Sequence, residues 1–198
     1  MKKKYLAIIP ARKGSKRIKN KNLVKIKDKT LVDIAINTAL NCKKISKVCL
    51  NTDIKNPTKI ENDKLFILKR PKNLGSDTSS TEKTIKHTIN FFLTTKNQKF
   101  ENIVLLQPTS PFRSKLDIEN AINKFEKDKS DSLFSGTEHK LFIWKKSKNF
   151  YSSNFNHNKR QRTQDMKINY VENGAIFIFN IKKFFKKNNR LFGKISFS

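Results

Sequence analysis

The chain has 198 residues, enough for one domain or at most two small ones. Lysine and arginine total 44 against 16 aspartate and glutamate, a net charge of +28, and hydrophobic residues make up 36%, below the roughly 45–50% of an average soluble domain. Two cysteines form neither a disulfide framework nor a metal set, and no apolar run approaches the ~18 residues of a membrane span or the core of a signal peptide. A cytoplasmic globular protein is expected.

Residues 5–10 form a short continuous apolar run, which predicts a buried strand. A polar, cationic loop follows over 11–22. Thr30 can cap a helix that starts near Leu31, with Leu31, Ile34, Ala35, Thr38, Ala39 and Cys42 at helical spacing. Residues 47–50 and 65–68 read as a second and a third strand, ending at Asn51-Thr52-Asp53 and Arg70-Pro71. Ser80 or Thr81 can cap a helix that buries Ile85, Ile89, Phe92 and Leu93. The fourth strand is expected over 103–106, before Gln107-Pro108-Thr109-Ser110-Pro111, and a helix over 115–127. Residues 132–135 and 141–144 read as two further strands, 145–167 as a polar stretch, 175–179 as the last strong strand and 181–187 as a short helix. Strands alternating with helices predict one α/β domain over 1–198, a mostly parallel sheet with helices on both faces.

A charge of +28 admits affinity for nucleic acid. It is spread along the chain, however, without a basic tail or an aromatic-interleaved arginine stripe. The abundance of Lys, Asn, Ile and Phe is also what AT-rich codons encode, so nucleic acid is not expected as the main partner. Against this background the few arginines stand out: Arg12, Arg17, Arg70, Arg113, Arg160, Arg162 and Arg190. Arginine offers a rigid fork for phosphate or carboxylate that lysine does not copy.

In open α/β sheets ligands bind outside the carboxyl ends of the strands. Arg12, Arg70 and the 107–113 segment all follow such ends, and Asn173-Gly174 adjoins the last strand. These residues are expected to converge. Gly14 can take a positive φ that turns backbone N–H groups inward, and Arg12, Lys16 and Lys21 add charge suited to a polyphosphate. A Walker A loop is excluded, because its second glycine is missing. Gln107 can present its amide to a ligand or stabilise its own loop. Asp53 can bind a metal or cap the next turn, with capping the expectation. His87, His139 and His157 show no ligand spacing.

The run Ile8-Ile9-Pro10-Ala11-Arg12-Lys13-Gly14-Ser15-Lys16, followed by Lys21-Asn22-Leu23, resembles the signature loop of the acylneuraminate cytidylyltransferases, the CMP-sialic acid synthetases. Three more blocks stand in that family's order: Arg70-Pro71 with Ser76-Asp77-Thr78, residues 105–113 (LLQPTSPFR), and Asn173-Gly174-Ala175. Arg160-Gln161 resembles a weaker element between them. The 3-deoxy-manno-octulosonate cytidylyltransferases differ at Lys21-Asn22-Leu23, whereas enzymes activating pseudaminic and legionaminic acid share the blocks.

The resemblance implies a Rossmann-like sheet of the nucleotide-diphospho-sugar transferase type. It implies a nucleotidyltransferase joining CTP to a nine-carbon 2-keto sugar acid, with release of pyrophosphate. Arg12, Lys21 and Gln107 would carry the catalysis. Ala11, Arg12, Ser15, Lys16, Lys21, Asn22, Arg70 and Ser80 would line the nucleotide site, and Gln107, Arg160 and Asn173 the sugar site. A homodimer is implied, with 145–167 as a dimerisation insertion and Arg160 reaching the partner subunit's site. Mg2+ is implied as cofactor, held in the family by an Asp-x-Asp pair in a later segment. No aspartate follows Asp165 here, so a truncated, catalytically weak CTP- or sugar-acid-binding chain is the alternative expectation.

Overall fold

The computed structural model describes residues 3–14, 18–76 and 79–198. The elements are β1 (Lys3–Ala11), β2 (Lys25–Ile26), β3 (Lys29–Thr30), α1 (Leu31–Leu40), β4 (Lys47–Thr52), β5 (Leu65–Lys69), α2 (Thr81–Thr94), β6 (Phe100–Leu106), α3 (Lys115–Lys127), β7 (Ser132–His139), β8 (Trp144–Ser147), β9 (Phe150–Ser153), β10 (Asn169–Asn180), α4 (Ile181–Lys187) and β11 (Ile195–Phe197). Seven strands form one sheet in the order β11-β7-β10-β6-β1-β4-β5. The pairs β6–β1, β1–β4, β4–β5 and β7–β11 are parallel, and β10 runs antiparallel to β6. The mostly parallel α/β sheet is therefore present, with one reversed strand inside it.

The chain divides into two compact units. One comprises Met1–Ser135 with Gly174–Ser198, the other Gly136–Asn173. The first contains the core. Strand side chains alternate between faces, and β1 shows it directly: Tyr5, Ala7 and Ile9 join α1 and α3 on one face, Leu6 and Ile8 join α2 and α4 on the other. β10 does the same with Ile176 and Ile178 against Phe177 and Phe179. Such strands are buried on both faces, which is why they read as unbroken apolar runs.

The helix starts follow from local chemistry. Thr30 Oγ1 accepts the Asp33 N–H at 3.0 Å while its own N–H reaches the Asp33 carboxylate at 3.3 Å. Ser114 and Asp117 repeat this capping box at α3. Ser80 Oγ accepts the Lys83 N–H and so caps α2.

Some expectations need correction. Residues 141–144 are not a strand of their own: only Trp144 enters one, and Leu141 and Ile143 are each 40% exposed. The polar stretch 145–167 contains most of a hairpin, β8 paired with β9. α1 buries Val32 and Ile36, with Ile34 and Thr38 half-exposed, and Leu93 on α2 is exposed. Gly14 does not adopt a positive φ; Asn20 does, at 53°, just before the 3-10 turn Lys21–Leu23.

Candidate active site

The carboxyl ends of β1, β5 and β6 open onto a cleft of about 210 Å³ in the first unit. Its described lining includes Arg12, Lys21, Asn22, Arg70 and Gln107, five of the expected site residues. Parallel strands bring these positions together because each chain segment leaves the sheet at the same end. Gly14, Ser79, Thr81, Thr84, Pro108 and Thr109 also line the cleft, and no carboxylate is among the described lining residues.

Two side chains fix the loop after β1. Asn22, itself buried, donates from Nδ2 to the Arg12 carbonyl at 2.9 Å. From the end of β4, Asp53 Oδ1 accepts the Lys13 N–H at 2.7 Å. Asp53 therefore does not cap the turn that follows it; Thr52 Oγ1 takes the Ile54 N–H instead. Asp53 also sits close to Gly75, where a Cβ would lie 2.9 Å from its Oδ2.

Arg70 is 6% exposed and extends β5 by donating its N–H to the Thr52 carbonyl at 2.8 Å. Burial pushes its guanidinium pKa down; Asp53 pushes it up, and the positive charge of Arg12 pushes it down again. Two guanidinium groups that oppose each other beside one cleft favour an anion between them. Ser79 adds a second demand for a polar ligand. Among the described residues its buried Oγ has no hydrogen-bond partner, a costly state for a hydroxyl.

At the other wall, Arg113 is 7% exposed, and burial holds its pKa down to about 10 despite Asp117. Its Nη1 donates to the Gln107 carbonyl at 3.2 Å and to the Ala175 carbonyl at 2.7 Å, so it clamps the 107–113 loop to β10. Gly174, with φ of 69°, lies against the Gln107 amide: a Cβ there would sit 3.7 Å from its Oε1.

The remaining expected residues fall elsewhere. Ala11 is buried as the last residue of β1, and Ser80 caps α2 without entering the described lining. Ser15 and Lys16 lie outside the described residues, as do Asp77 and Thr78. Arg160 and Asn173 belong to the second unit, where the Arg160 guanidinium stacks 4.0 Å from the Phe142 ring. Asp53, Ser79 and Arg113 were not among the expected site residues. Asp53 and Arg113 stood in the sequence as polar residues at strand ends, whereas Ser79 carried no signal of its own.

The donor set does not suit a metal ion. Among the described residues no group of three His, Cys, Asp or Glu side chains is gathered, and Asp53 is committed to Lys13. The Mg2+ implied by the resemblance thus finds no clustered ligand set among the described residues, and Asp77 lies outside them.

A family model described as cytidylyltransferase matches residues 6–193. The chain is 33% identical over 201 residues to an N-acylneuraminate cytidylyltransferase of Escherichia coli, covering 99% of this chain and 46% of that one. It is 31% identical over 194 residues to a pseudaminic acid cytidylyltransferase of Campylobacter jejuni, covering 93% and 82%. The chain thus spans less than half the length of the Escherichia coli relative. Among solved structures, a 4-diphosphocytidyl-2C-methyl-D-erythritol synthase from Anaerococcus prevotii aligns with a TM-score of 0.65 at 14% identity, over 99% of this chain and 86% of that one. A CMP:2-keto-3-deoxy-manno-octonic acid synthetase complexed with CTP aligns with a TM-score of 0.63 at 15% identity, over 93% and 78%. These two share the fold. With the family model spanning nearly its whole length, the chain belongs to the cytidylyltransferase family.

Proposed function

We propose that the chain carries the nucleotide site of an enzyme that activates a nine-carbon 2-keto sugar acid, an N-acylneuraminate or a related sialic acid, with CTP. The products are the CMP-sugar and pyrophosphate. The observation that carries this reading is the convergence of Arg12, Lys21, Asn22, Arg70 and Gln107 on one cleft without an acidic residue in its described lining. Both substrates are anions, and both need cations and oriented N–H donors.

In the proposed reaction the anomeric hydroxyl of the sugar attacks the α-phosphorus of CTP, a P–O bond forms, and the bond to pyrophosphate breaks. Arg12 and Lys21 hold the triphosphate and offset charge as it develops. Asn22 and Arg70 serve the nucleotide, with Ser15, Lys16 and Ser80 as further contacts carried over from the resemblance. Gln107 orients the sugar acid, which places the attacking oxygen in line. Arg160 and Asn173 serve the sugar in the same scheme, with Arg160 supplied by a second copy of the chain. A homodimer formed through the second unit fits the exposure there of Phe150 and Tyr151, 79% and 64%. We also place the enzyme in the cytoplasm, where CTP is available.

Mg2+, when bound, would neutralise phosphate charge. Among the described residues no cluster of three His, Cys, Asp or Glu side chains is gathered to hold it. A second reading is a chain that binds CTP or the sugar acid but turns over weakly. Pyrophosphate release from CTP and Mg2+, with N-acetylneuraminate, pseudaminate and legionaminate offered separately, decides between them. Release with one sugar supports the enzyme and names its substrate. Silence with all three, beside measurable CTP binding, supports the second reading.

A further inference from the structure

Behind Arg70 lies a chain of hydrogen bonds whose middle members, Asn51, His87 and Thr88, are outside the cleft lining. Arg70 Nε donates to Asn51 Oδ1 at 2.9 Å, and its Nη2 to the Asn51 carbonyl at 2.8 Å. Asn51 Nδ2 meets Thr88 Oγ1 at 3.0 Å and His87 Nδ1 at 3.1 Å. Thr88 Oγ1 donates to the Thr84 carbonyl at 3.0 Å, and Thr84 is part of the cleft wall. Asn51 and Thr88 are fully buried.

The polarity of this chain is forced. A guanidinium only donates, so the amide oxygen of Asn51 must face Arg70. Nδ2 is then a donor directed at α2. The single hydroxyl proton of Thr88 goes to Thr84, which leaves its oxygen to accept. His87 Nδ1 must accept as well, and this requires a neutral imidazole with its proton on Nε2. A proton on Nδ1 would set two donors face to face. Turning the amide over would only move the conflict to Arg70 Nε, and either way a buried group loses its partner.

The charges around His87 point the same way. Burial disfavours its protonated form, and so does Arg70, the charged group acting on it from the sheet side. Its own helix supplies Lys83 and Lys86, and the one carboxylate of that helix, Glu82, is paired with Arg190 at 3.0 Å.

We propose that Asn51, held by Thr88 and a neutral His87, is the positioning residue for Arg70, and that nucleotide affinity therefore falls when His87 takes a second proton. The proposal rests on the nucleotide reading of the cleft given above. Asn51 and His87 act through Arg70, since neither belongs to the described lining.

Two measurements on the full chain test it. The first is nitrogen NMR of the histidine rings against pH; with three histidines in the chain, the His87 signals are assigned by their loss in His87→Asn. The expected state is the Nε2–H tautomer, titrating below the usual value of about 6.5. An Nδ1–H tautomer, or a titration that Asn51→Ala leaves unmoved, overturns the relay whether or not CTP binds.

The second is calorimetric titration with CTP from pH 8 to 5. His87→Asn puts an amide oxygen where Nδ1 stood, an acceptor that does not titrate. It also provides the baseline for the terminal phosphate, which itself titrates near pH 6. Asn51→Ala is expected to weaken CTP binding about tenfold at neutral pH. His87→Asn is expected to retain that affinity and to lose the part of the acid decline that belongs to His87. Equal acid declines in wild type and His87→Asn overturn the proposal even if Asn51→Ala fails to fold. Absence of CTP binding in the wild type at every pH overturns the nucleotide reading and the affinity claim with it, while the NMR result still reports on the relay.

Discussion

The Tyr5 hydroxyl donates to Glu126 Oε1 at 2.9 Å, joining the first strand to the end of α3 across 121 residues of sequence. Lys4 and Lys44 reach the same carboxylate at 2.6 and 2.8 Å. Burial alone would raise the Glu126 pKa; the hydrogen bonds from Lys4, Lys44 and Tyr5 outweigh it and hold the group down to about 2. The folded state therefore binds this proton less readily than the unfolded chain, whose glutamate titrates near 4.3. The stabilisation is present above that value and is lost as pH falls from there through about 2. Urea unfolding of Glu126→Gln is expected to show a flatter acid limb than wild type in this window. Tyr5→Phe should cost about 1 kcal/mol at neutral pH, and an unchanged midpoint would remove Tyr5 from the account.

Arg113 holds two part-buried carbonyls from different segments, so replacing it with methionine removes both bonds while keeping much of the volume. The expected loss is about 2–3 kcal/mol of unfolding free energy, since bonds from a charged donor are among the stronger ones. Because one of the two carbonyls belongs to Gln107, the variant should also lose turnover with the sugar acid more than it loses CTP affinity. Comparable losses in both would show that the clamp serves stability alone.

Two glycines separate backbone strain from steric exclusion. Gly174 and Gly193 have φ of 69° and 63°, and both resist a side chain on that ground. At Gly174 a Cβ would meet only ordinary contacts with Gln107, whereas at Gly193 it would overlap Asp131 Oδ2, an atom that accepts the Lys194 N–H. Gly174→Ala should therefore cost about 1–2 kcal/mol, and Gly193→Ala clearly more. Thermal melts of the two variants should rank in that order.

Asp53 is the support under the Arg12–Gly14 loop. Asp53→Ala is expected to raise the KM for CTP about threefold to tenfold with little change in kcat, because one charge-assisted bond to the loop is lost. Asp53→Asn keeps an acceptor for the Lys13 N–H and should recover part of the loss. A fall in kcat with KM unchanged would instead mean that the carboxylate acts on the reacting groups.

What the sequence disclosed follows from which forces are local. The helices 115–127 and 181–187 are readable to the residue, because the capping side chains Ser114 and Asn180 directly precede them and the apolar spacing lies within them. The buried strands announce themselves as unbroken apolar runs. β10 is longer than its apolar part, since residues 169–173 are exposed and show no alternation. β11 has only three residues and exists through pairing with β7, some sixty residues earlier, which no local pattern encodes. The site shows the same division. Arg12, Arg70 and Gln107 were visible because strand ends in a parallel sheet converge by topology. Asn51 and His87 were not, because their partnership depends on which face of α2 turns toward β4.

β7 leaves the first unit after Ser135, and β10 enters it at Gly174, yet the Ser135 hydroxyl accepts the Ile176 N–H at 2.8 Å. The departing and returning ends of the 136–173 excursion are thus stitched together from within the sheet-bearing unit. Excising that excursion and closing the gap with a brief turn should leave a truncated protein that still folds and still presents the cleft of the first unit, a result that circular dichroism and CTP titration would register. The same stitch makes the excursion a cassette that can change in length or sequence while the sheet-bearing unit keeps its architecture.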